Sequence, residues 1–282
     1  MHILTFDIED WYHFLEHKPV ENHKNWGTFE NRMEAGVFRL LDILEKYNLK
    51  ATFFVIGWVA KQNPNIIKEI SRRGYEIGMH SNYHQLVFDQ SWNEFKEDIS
   101  ENKKIIEDII GISPVSYRAP GFSIMESTTW AFEIMAEVGI ENDSSIFPTN
   151  RNHGGFRRFP YNKPCIIETA GSQIREFPIN TYSFMGEILV FSGGGYFRLL
   201  PYPLIKYFTK RSPYVMSYFH PSDMDKDKPM MKTLPLIRKF RAYYGIDNCE
   251  QKLTSWLSDF DFVDIKTAID KIDWTKVSVM KL

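Results

Sequence analysis

The chain has 282 residues, of which 43% are hydrophobic and 25% charged, a composition typical of a globular protein long enough to bury one large core. Its 34 Lys and Arg against 36 Asp and Glu leave a formal charge of −2, which excludes a broad basic field for nucleic acid. The longest apolar run, residues 52–60, is much shorter than the roughly 20 residues of a membrane-spanning helix. We therefore expect no nucleic-acid partner and no membrane span.

The N-terminus and the cysteines indicate the compartment. The first residues lack the basic segment, long apolar segment and small-residue cleavage site of a signal peptide. Cys165 and Cys249 are too few for a disulfide framework, as is usual in a reducing compartment. We expect a cytoplasmic protein with two free thiols. The 15% of aromatic residues suits either a large core or surfaces that stack on sugars.

Strand and helix signals alternate through the first half of the chain. The sequence predicts helices beginning near Met33, Pro64, Ser91 and Thr128. Capping residues mark the starts of the second and third of these. Repeated strand-to-helix units favour an α/β fold with a parallel sheet, either open or closed into a barrel. Short apolar runs predict the strands, which cover residues 2–6, 51–56, 75–79, 115–117, a segment near 140, and 214–220.

Three carboxylates crowd the end of the first predicted strand. Asp7, Glu9 and Asp10 lie within four residues, and like charges that close raise one another's pKa unless a cation neutralises them. They are either a solvated strand end, with a capping role, or part of a metal site.

Two histidines, His80 and His84, follow the third predicted strand. At spacing i and i+4 on a helical turn they would share a face and could ligate one ion, although a surface or capping role is the alternative. Two imidazoles and one carboxylate, with water in the open position, form a ligand set typical of catalytic zinc or a related divalent ion. A further carboxylate would then be free to act as a base.

Later strand ends carry Arg118, Asp143 and His220. An arginine beside a carboxylate keeps it ionised and fixes its orientation. Taken singly, Asp143 would cap a turn and His220 would be structural. Chemistry in parallel α/β folds lies at the carboxyl ends of the strands, so the joint placement favours one site.

With these motifs the chain resembles the polysaccharide deacetylases of the NodB-homology type, a carbohydrate esterase family. The segments 192–198 and 219–221 further resemble a bacterial branch associated with exopolysaccharide. The resemblance runs over nearly the whole chain and implies a distorted (β/α) barrel. We expect one catalytic domain over residues 1–282, in which residues from about 222 onward form a helical and strand extension packed on the barrel.

The resemblance also implies roles for the residues at the strand ends. It makes Asp7 the catalytic base, His80 and His84 metal ligands, and His220 the general acid. Arg118 would anchor the base, and Asp143 would orient His220.

The chain departs from the family pattern at two points. The common motif has a second Asp directly after the first, where this chain has Ile8, so the metal carboxylate must be Glu9 or Asp10. Strand alternation puts Glu9 on the same face as Asp7 and favours it. Gly121 stands where the family usually has an aromatic residue, and Phe122 follows it.

The expected reaction is metal-dependent removal of an N-acetyl group from an amino sugar in capsule or exopolysaccharide biosynthesis. The ion would be zinc, with cobalt, nickel or manganese as alternatives. The sugar could be nucleotide- or lipid-linked, with a phosphate held by the basic loop of Arg151, His153, Arg157 and Arg158, unless that loop is simply solvated. We expect the sugar to contact Trp11, Tyr83, Gly121 and Phe122.

Two other functions remain open from the sequence. The chain could hydrolyse a non-sugar amide, or it could be a catalytically inactive relative that binds carbohydrate. The sequence leaves the oligomeric state undetermined.

Overall fold

A computed structural model describes residues 1–149, 151, 154–169 and 171–282. The strands are β1 (His2–Ile3), β2 (Thr5–Ile8), β3 (Thr52–Val55), β4 (Glu76–Met79), β5 (Ser116–Tyr117), β6 (Asn142–Asp143), β7 (Cys165–Thr169), β8 (Ser172–Glu176), β9 (Tyr182–Phe184), β10 (Glu187–Leu189), β11 (Val215–Met216), β12 (Phe262–Val263) and β13 (Ser278–Lys281). The α-helices are α1 (Lys18–Glu21), α2 (Met33–Lys46), α3 (Gly57–Gln62), α4 (Pro64–Arg72), α5 (Trp92–Ile110), α6 (Ala131–Glu137), α7 (Gly194–Leu199), α8 (Tyr202–Arg211), α9 (Leu236–Tyr243), α10 (Cys249–Asp259) and α11 (Ile265–Lys271).

A predominantly parallel sheet forms the centre of the fold. Its strand order is β13-β7-β8-β6-β5-β4-β3-β2, and only β7 and β8 run antiparallel to each other. A second parallel sheet has the order β11-β1-β12. Because β1 and β2 are separated only by Leu4, the N-terminal segment belongs to both sheets, and a parallel bridge from Phe6 to Phe219 joins them further. The two sheets together form the predicted distorted α/β barrel.

The early elements fall close to their predicted positions. Every residue of β2 and β3 is buried, as expected for parallel strands covered on both faces. The side chain of Ser91 and that of Glu94 form the predicted capping box at the start of α5. Pro64 begins α4, and Gly74 adopts a φ of 75° just after that helix ends.

The C-terminal region contributes strands to both sheets. β12 pairs with β1 in the smaller sheet, and β13 pairs with β7 at the edge of the larger one. The helices α9, α10 and α11 lie between residue 236 and residue 271. The assignment of residues 1–282 to one domain stays a prediction.

None of the helices in the described part of the chain has both the length and the hydrophobicity needed to cross a bilayer.

Candidate functional site

Strand ends surround one cavity of about 560 Å³, a size that suits a sugar unit. Asp7 lies in β2 and Glu9 just after it, while His80, Arg118 and His220 follow β4, β5 and β11 in turn. All of these except Arg118 line the cavity. The other side chains that matter below also line it, namely Asp10, Trp11, His13, His84, Gly121, Phe122, Arg151, Arg198, Asp223 and Lys228.

A buried ion pair joins Asp7 to Arg118. The Nη1 of Arg118 donates to Asp7 Oδ1 at 2.7 Å, and neither side chain is more than 3% exposed. The same guanidinium donates to Thr5 Oγ1 and to the carbonyl and hydroxyl oxygens of Ser144. Its plane lies over the ring of Phe54, 4.3 Å from the centroid. These contacts fix the orientation of Asp7 and leave its second oxygen, Oδ2, facing His220 Nε2 at 3.9 Å.

Glu9, His80 and His84 form a compact three-ligand cluster. The Oε1 of Glu9 lies 3.1 Å from His80 Nε2 and 3.0 Å from His84 Nε2. Metal bonds of about 2.0–2.1 Å at tetrahedral angles would put ligand atoms about 3.3 Å apart, close to these separations. The cluster therefore has the donor types and the spacing of a divalent metal site.

The hydrogen bond on the far side of His80 supports this interpretation. Its Nδ1 lies 2.7 Å from the carbonyl oxygen of Arg118, and a carbonyl can only accept, so Nδ1 carries the proton. In a neutral ring, Nε2 then carries a lone pair, and it faces a carboxylate oxygen that also carries lone pairs. Two such atoms 3.1 Å apart repel each other unless a cation lies between them or the ring gains a second proton. Burial by itself would raise the pKa of Glu9. The nearby charges of His84 and His220, with the hydrogen bonds from His80 and His84, outweigh burial and lower the pKa well below its ordinary value.

Buried polar residues of α5 hold the loop that carries His84. The carboxylate of Asp98 accepts the backbone N–H groups of Asn82 and Tyr83. Asn102 donates from Nδ2 to the carbonyl oxygens of Val55 and Ser81. Burial raises the pKa of Asp98 to about 6. These positioning residues were missed at the sequence level, because polar residues inside a helix pattern do not indicate what they contact.

The sequence left Glu9 and Asp10 as alternatives for the metal carboxylate. The structure does not place Asp10 among the candidate ligands. Its Oδ1 accepts the N–H of Trp11, and its Oδ2 accepts those of Arg32 and Met33 at the start of α2. Both oxygens thus accept hydrogen bonds from backbone N–H groups. Those of Arg32 and Met33 lie at a helix N-terminus, where a carboxylate is favourable. Of the two alternatives, Glu9 alone joins the histidines.

Asp223, rather than the expected Asp143, orients His220. The Nδ1 of His220 lies 3.0 Å from Asp223 Oδ2, and that oxygen also accepts the backbone N–H of His220. Arg198 faces the other oxygen of Asp223, with Nε 3.0 Å from Oδ1. An acid three residues after the histidine of a His-Pro pair was the sequence signal for this turn.

Asp143 instead supports the loop that follows Arg118. Its two oxygens accept the hydroxyl and the N–H of Ser145, and the hydroxyl oxygen of Ser145 accepts the N–H of Ala119. It is in register with Glu176 on the neighbouring strand β8, and both side chains are buried. Burial raises the pKa of Asp143, and burial beside Asp143 raises the pKa of Glu176 well above its ordinary value. The catalytic role expected for Asp143 is therefore replaced by a structural one.

The predicted sugar contacts divide between two pockets. Trp11, Gly121 and Phe122 line the cavity with the ion pair and the three-ligand cluster. Tyr83 does not, because it stacks on His23 at 4.1 Å between ring centroids and lines a separate pocket with Trp58. The structure therefore does not place Tyr83 with the other three predicted contacts.

Among the described residues of the predicted basic loop, Arg151 alone lines the cavity. Its guanidinium lies over the rings of Phe122 and Phe147, and no partner is found for its buried Nη1 among the described residues. Arg157 and Arg158 are exposed to solvent. His153 lies outside the described residues.

Two further cavity residues were not predicted as site residues. His13 accepts the N–H of Asp10 at Nδ1, and burial lowers its pKa to about 3, so its neutral ring carries the proton at Nε2. Lys228 lies over the rings of Phe14 and Tyr243, and burial lowers its pKa to about 8. They supply a neutral donor and a cation to the cavity wall.

Two family models match successive parts of the chain. Residues 17–142 match the family described as polysaccharide deacetylase. Residues 144–270 match a domain of unknown function, DUF3473. The two matches divide the site, since His80 and Arg118 fall in the first, His220 in the second, and Asp7 precedes both.

Curated relatives match about a third of the chain. A peptidoglycan-N-acetylglucosamine deacetylase of Bacillus cereus is 32% identical over 103 residues, which are 36% of this chain and 46% of that protein. One from Listeria monocytogenes is 37% identical over 94 residues, 33% of this chain and 20% of that protein. The chain thus spans less than half the length of these relatives.

Solved structures share the fold over the whole chain. A candidate polysaccharide deacetylase from Mycobacterium smegmatis aligns with a TM-score of 0.67 and 18% identity, over 100% of this chain and 92% of that one. A CE4 family pseudoenzyme from Bacillus anthracis aligns with a TM-score of 0.53 and 15% identity, over 99% and 69%.

The roles of Glu9 and Asp10 can be separated by metal binding. We expect Glu9→Gln to weaken zinc binding by roughly two orders of magnitude, because a neutral amide replaces a carboxylate ligand. Asp10→Asn should bind one zinc with unchanged affinity and lose about 1 kcal/mol of stability, because its amide caps α2 less well. Competition with a chromophoric chelator measures the affinity, and equal losses in the two variants would contradict the assignment.

The buried pair of Asp143 and Glu176 predicts a specific pH dependence of stability. Because folding raises the pKa of Glu176, the folded protein holds a proton that the unfolded chain releases above about pH 4.5. The free energy of unfolding therefore falls as pH rises through this window. Glu176→Gln cannot titrate, so we expect its stability relative to wild type to improve by about 1–3 kcal/mol between pH 5 and pH 8.

Urea unfolding at pH 5, 6.5 and 8 tests this expectation. The exposed Glu97→Gln is the control and should differ from wild type by a constant amount. A similarly constant difference for Glu176→Gln would show that Glu176 releases its proton as it does in the unfolded chain.

Proposed function

We propose that this protein is a metal-dependent hydrolase that removes the N-acetyl group from an amino sugar of a cell-surface polysaccharide. The observation that carries the proposal is the meeting of Asp7, which Arg118 holds, and His220 beside the cluster of Glu9, His80 and His84. The Nε2 of His220 lies 3.9 Å from Asp7 Oδ2 and 3.7 Å from Glu9 Oε1. The match of residues 17–142 to the polysaccharide deacetylase family supports the same chemistry.

Glu9, His80 and His84 would hold the divalent ion, most simply zinc. A divalent ion there would polarise the acetamide carbonyl and acidify a water molecule. Asp7 is the base, and Oδ2 is the atom that takes the proton of the attacking water, because Arg118 occupies Oδ1. The buried guanidinium also holds Asp7 in the orientation that this step needs.

His220 protonates the departing amine, which is otherwise a poor leaving group. Asp223 retains the proton on Nδ1, so His220 donates from Nε2, the atom that faces Asp7 and Glu9. Burial lowers the pKa of His220, but the carboxylates of Glu9, Asp223 and Asp7 raise it to about 9. A cation bound to Glu9 would bring this pKa down toward neutrality, where a general acid works best.

A backbone N–H at the end of β5 would stabilise the negative charge that develops on the acetamide oxygen. The N–H of Phe122 already donates to the carbonyl of Ala119. The N–H of Gly121 is therefore the donor of the two that we assign to this task.

The substrate we propose is a capsule or exopolysaccharide precursor that carries its amino sugar on a phosphate-containing carrier. The relatives named above are peptidoglycan-N-acetylglucosamine deacetylases, which supports an N-acetylated amino sugar. Arg151 and Lys228 supply cations for a phosphate or another anionic group at the cavity wall. In the cytoplasmic location that we propose, the protein would meet this precursor before export.

Acetate release from a panel of N-acetylated sugars tests the activity. We expect metal-stripped protein to be inactive and added zinc or cobalt to restore turnover. His220→Ala should retain zinc and lower kcat about 10²- to 10⁴-fold, because the amine then leaves unprotonated. Asp223→Asn should lower kcat less, and Glu97→Gln should leave it unchanged. No acetate from any sugar with zinc bound would favour a carbohydrate-binding protein or another amide substrate.

The phosphate preference has its own matched variants. We expect Arg151→Gln to raise KM on phosphate-linked N-acetyl sugars about tenfold or more and to leave KM on neutral oligosaccharides unchanged. The double variant Arg157→Gln/Arg158→Gln removes two exposed charges from the same loop and should behave as wild type. An equal loss on both substrate classes would contradict recognition of an anionic group by Arg151.

A further inference from the structure

The helix α9 presents apolar side chains to solvent. Leu236, Ile237 and Phe240 are 84%, 69% and 52% exposed, and Tyr244 just after the helix is half exposed. Their spacing of three, four and seven residues puts them on one face. A surface helix normally buries such a face against the core and exposes its polar side. Here the apolar face has no partner among the described residues.

This face continues onto the segments beside α9. Arg198 of α7 donates to the carbonyls of Arg241, Ala242 and Tyr244, which holds α7 against the end of α9. Tyr243 joins residues 229–231 to α9, because its hydroxyl accepts one N–H and donates to one carbonyl there. These neighbours add exposed apolar side chains to the face. We define the α9 surface as Leu199, Met230, Leu236, Ile237, Phe240 and Tyr244, all of which are exposed.

The chain around the α9 surface is strongly basic in a protein of net charge −2. Residues 196–244 contain ten Lys and Arg, three Asp and no Glu. Lys232, Lys239 and Arg241 flank the apolar side chains, and none of the ion pairs of the described residues includes them. Exposed apolar side chains among unpaired cations are typical of segments that lie in the interface of an anionic membrane.

We propose that the α9 surface docks on an anionic lipid bilayer. The side chains of this surface would insert between headgroups, and Lys232, Lys239 and Arg241 would contact lipid phosphates. A sugar-binding face would be built mainly from aromatic rings, whereas four of the six residues here are aliphatic. A protein partner is less well matched, because lysine is depleted at protein interfaces. This docking goes beyond the proposed reaction and does not require turnover.

The position of the α9 surface relates it to the site cavity. Leu199 of this surface lines the cavity, as do Arg238, Arg241 and Ala242 of α9. The cavity therefore opens at the edge of the docking surface. A protein bound in this way would present its site to sugars carried at the membrane surface.

Flotation with vesicles tests the proposal on the full chain. With vesicles of phosphatidylcholine and 30% phosphatidylglycerol we expect the protein to float at low salt, and with pure phosphatidylcholine we expect it to remain at the bottom. Raising the salt concentration to 0.5 M should release it, because screening weakens the contribution of each basic residue. Failure of the wild-type protein to float with anionic vesicles would overturn the proposal.

Variants locate the contact. Leu236→Ser/Ile237→Ser/Phe240→Ser should lower the partition coefficient at least tenfold, and Lys232→Gln/Lys239→Gln should lower it about tenfold. Ile112→Ser and Lys68→Gln/Lys163→Gln alter exposed residues elsewhere and should bind as wild type. Far-UV circular dichroism checks that each variant is folded. Equal flotation of a folded triple variant and wild type would overturn the assignment.

Sedimentation velocity without lipid tests the alternative that a second copy of this chain covers the α9 surface. We expect the same sedimentation coefficient for wild type and the triple serine variant across the concentration range. A wild-type dimer that the triple variant abolishes would assign the α9 surface to a second copy of this chain and overturn membrane docking.

Discussion

The buried contact between Arg118 and Asp7 is the constraint on which the site depends. The guanidinium is fully buried, and it reaches Thr5 and Asp7 of β2 as well as Ser144, which follows β6. The backbone carbonyl of Arg118 accepts a hydrogen bond from Nδ1 of His80. One residue therefore fixes both the proposed base and the tautomer of a proposed metal ligand. Removing either charge of such a pair leaves the other buried without compensation, which costs about 3–5 kcal/mol.

Residues from both halves of the chain form the site. Residues 17–142, which match the polysaccharide deacetylase model, supply His80, His84 and Arg118, and Asp7 and Glu9 precede them. The region matched as a domain of unknown function supplies His220 with its partner Asp223. In this region Arg198 both pairs with Asp223 and holds α7 against α9. The proposed general acid and the α9 surface are thus connected through one buried arginine.

Charge is distributed unevenly around the cavity. Carboxylates and histidines lie where the strands end, and cations such as Arg151 and Lys228 lie on the wall formed by later segments. In the reaction that we propose, an acetamide would contact the first group, and an anionic part of the same substrate would contact the second. The basic segment that includes α9 extends this positive region from the cavity to the protein surface.

The sequence by itself determined the α/β class, the positions of the early strands and helices, and the strand ends at which polar residues gather. It also favoured Glu9 over Asp10, because alternation along a strand has a fixed period of two. These features depend on local periodicity and on capping patterns such as that of Ser91, which can be read from neighbouring residues.

Only the tertiary structure decided which side chains meet across loops. It turned Asp10 toward the start of α2, placed Tyr83 in another pocket, and gave His220 the partner Asp223 in place of Asp143. Loop residues follow no period, so the direction of a carboxylate there depends on which backbone N–H groups the fold leaves without partners nearby. The neighbours of a loop residue are therefore defined only when the strands of both sheets have assembled.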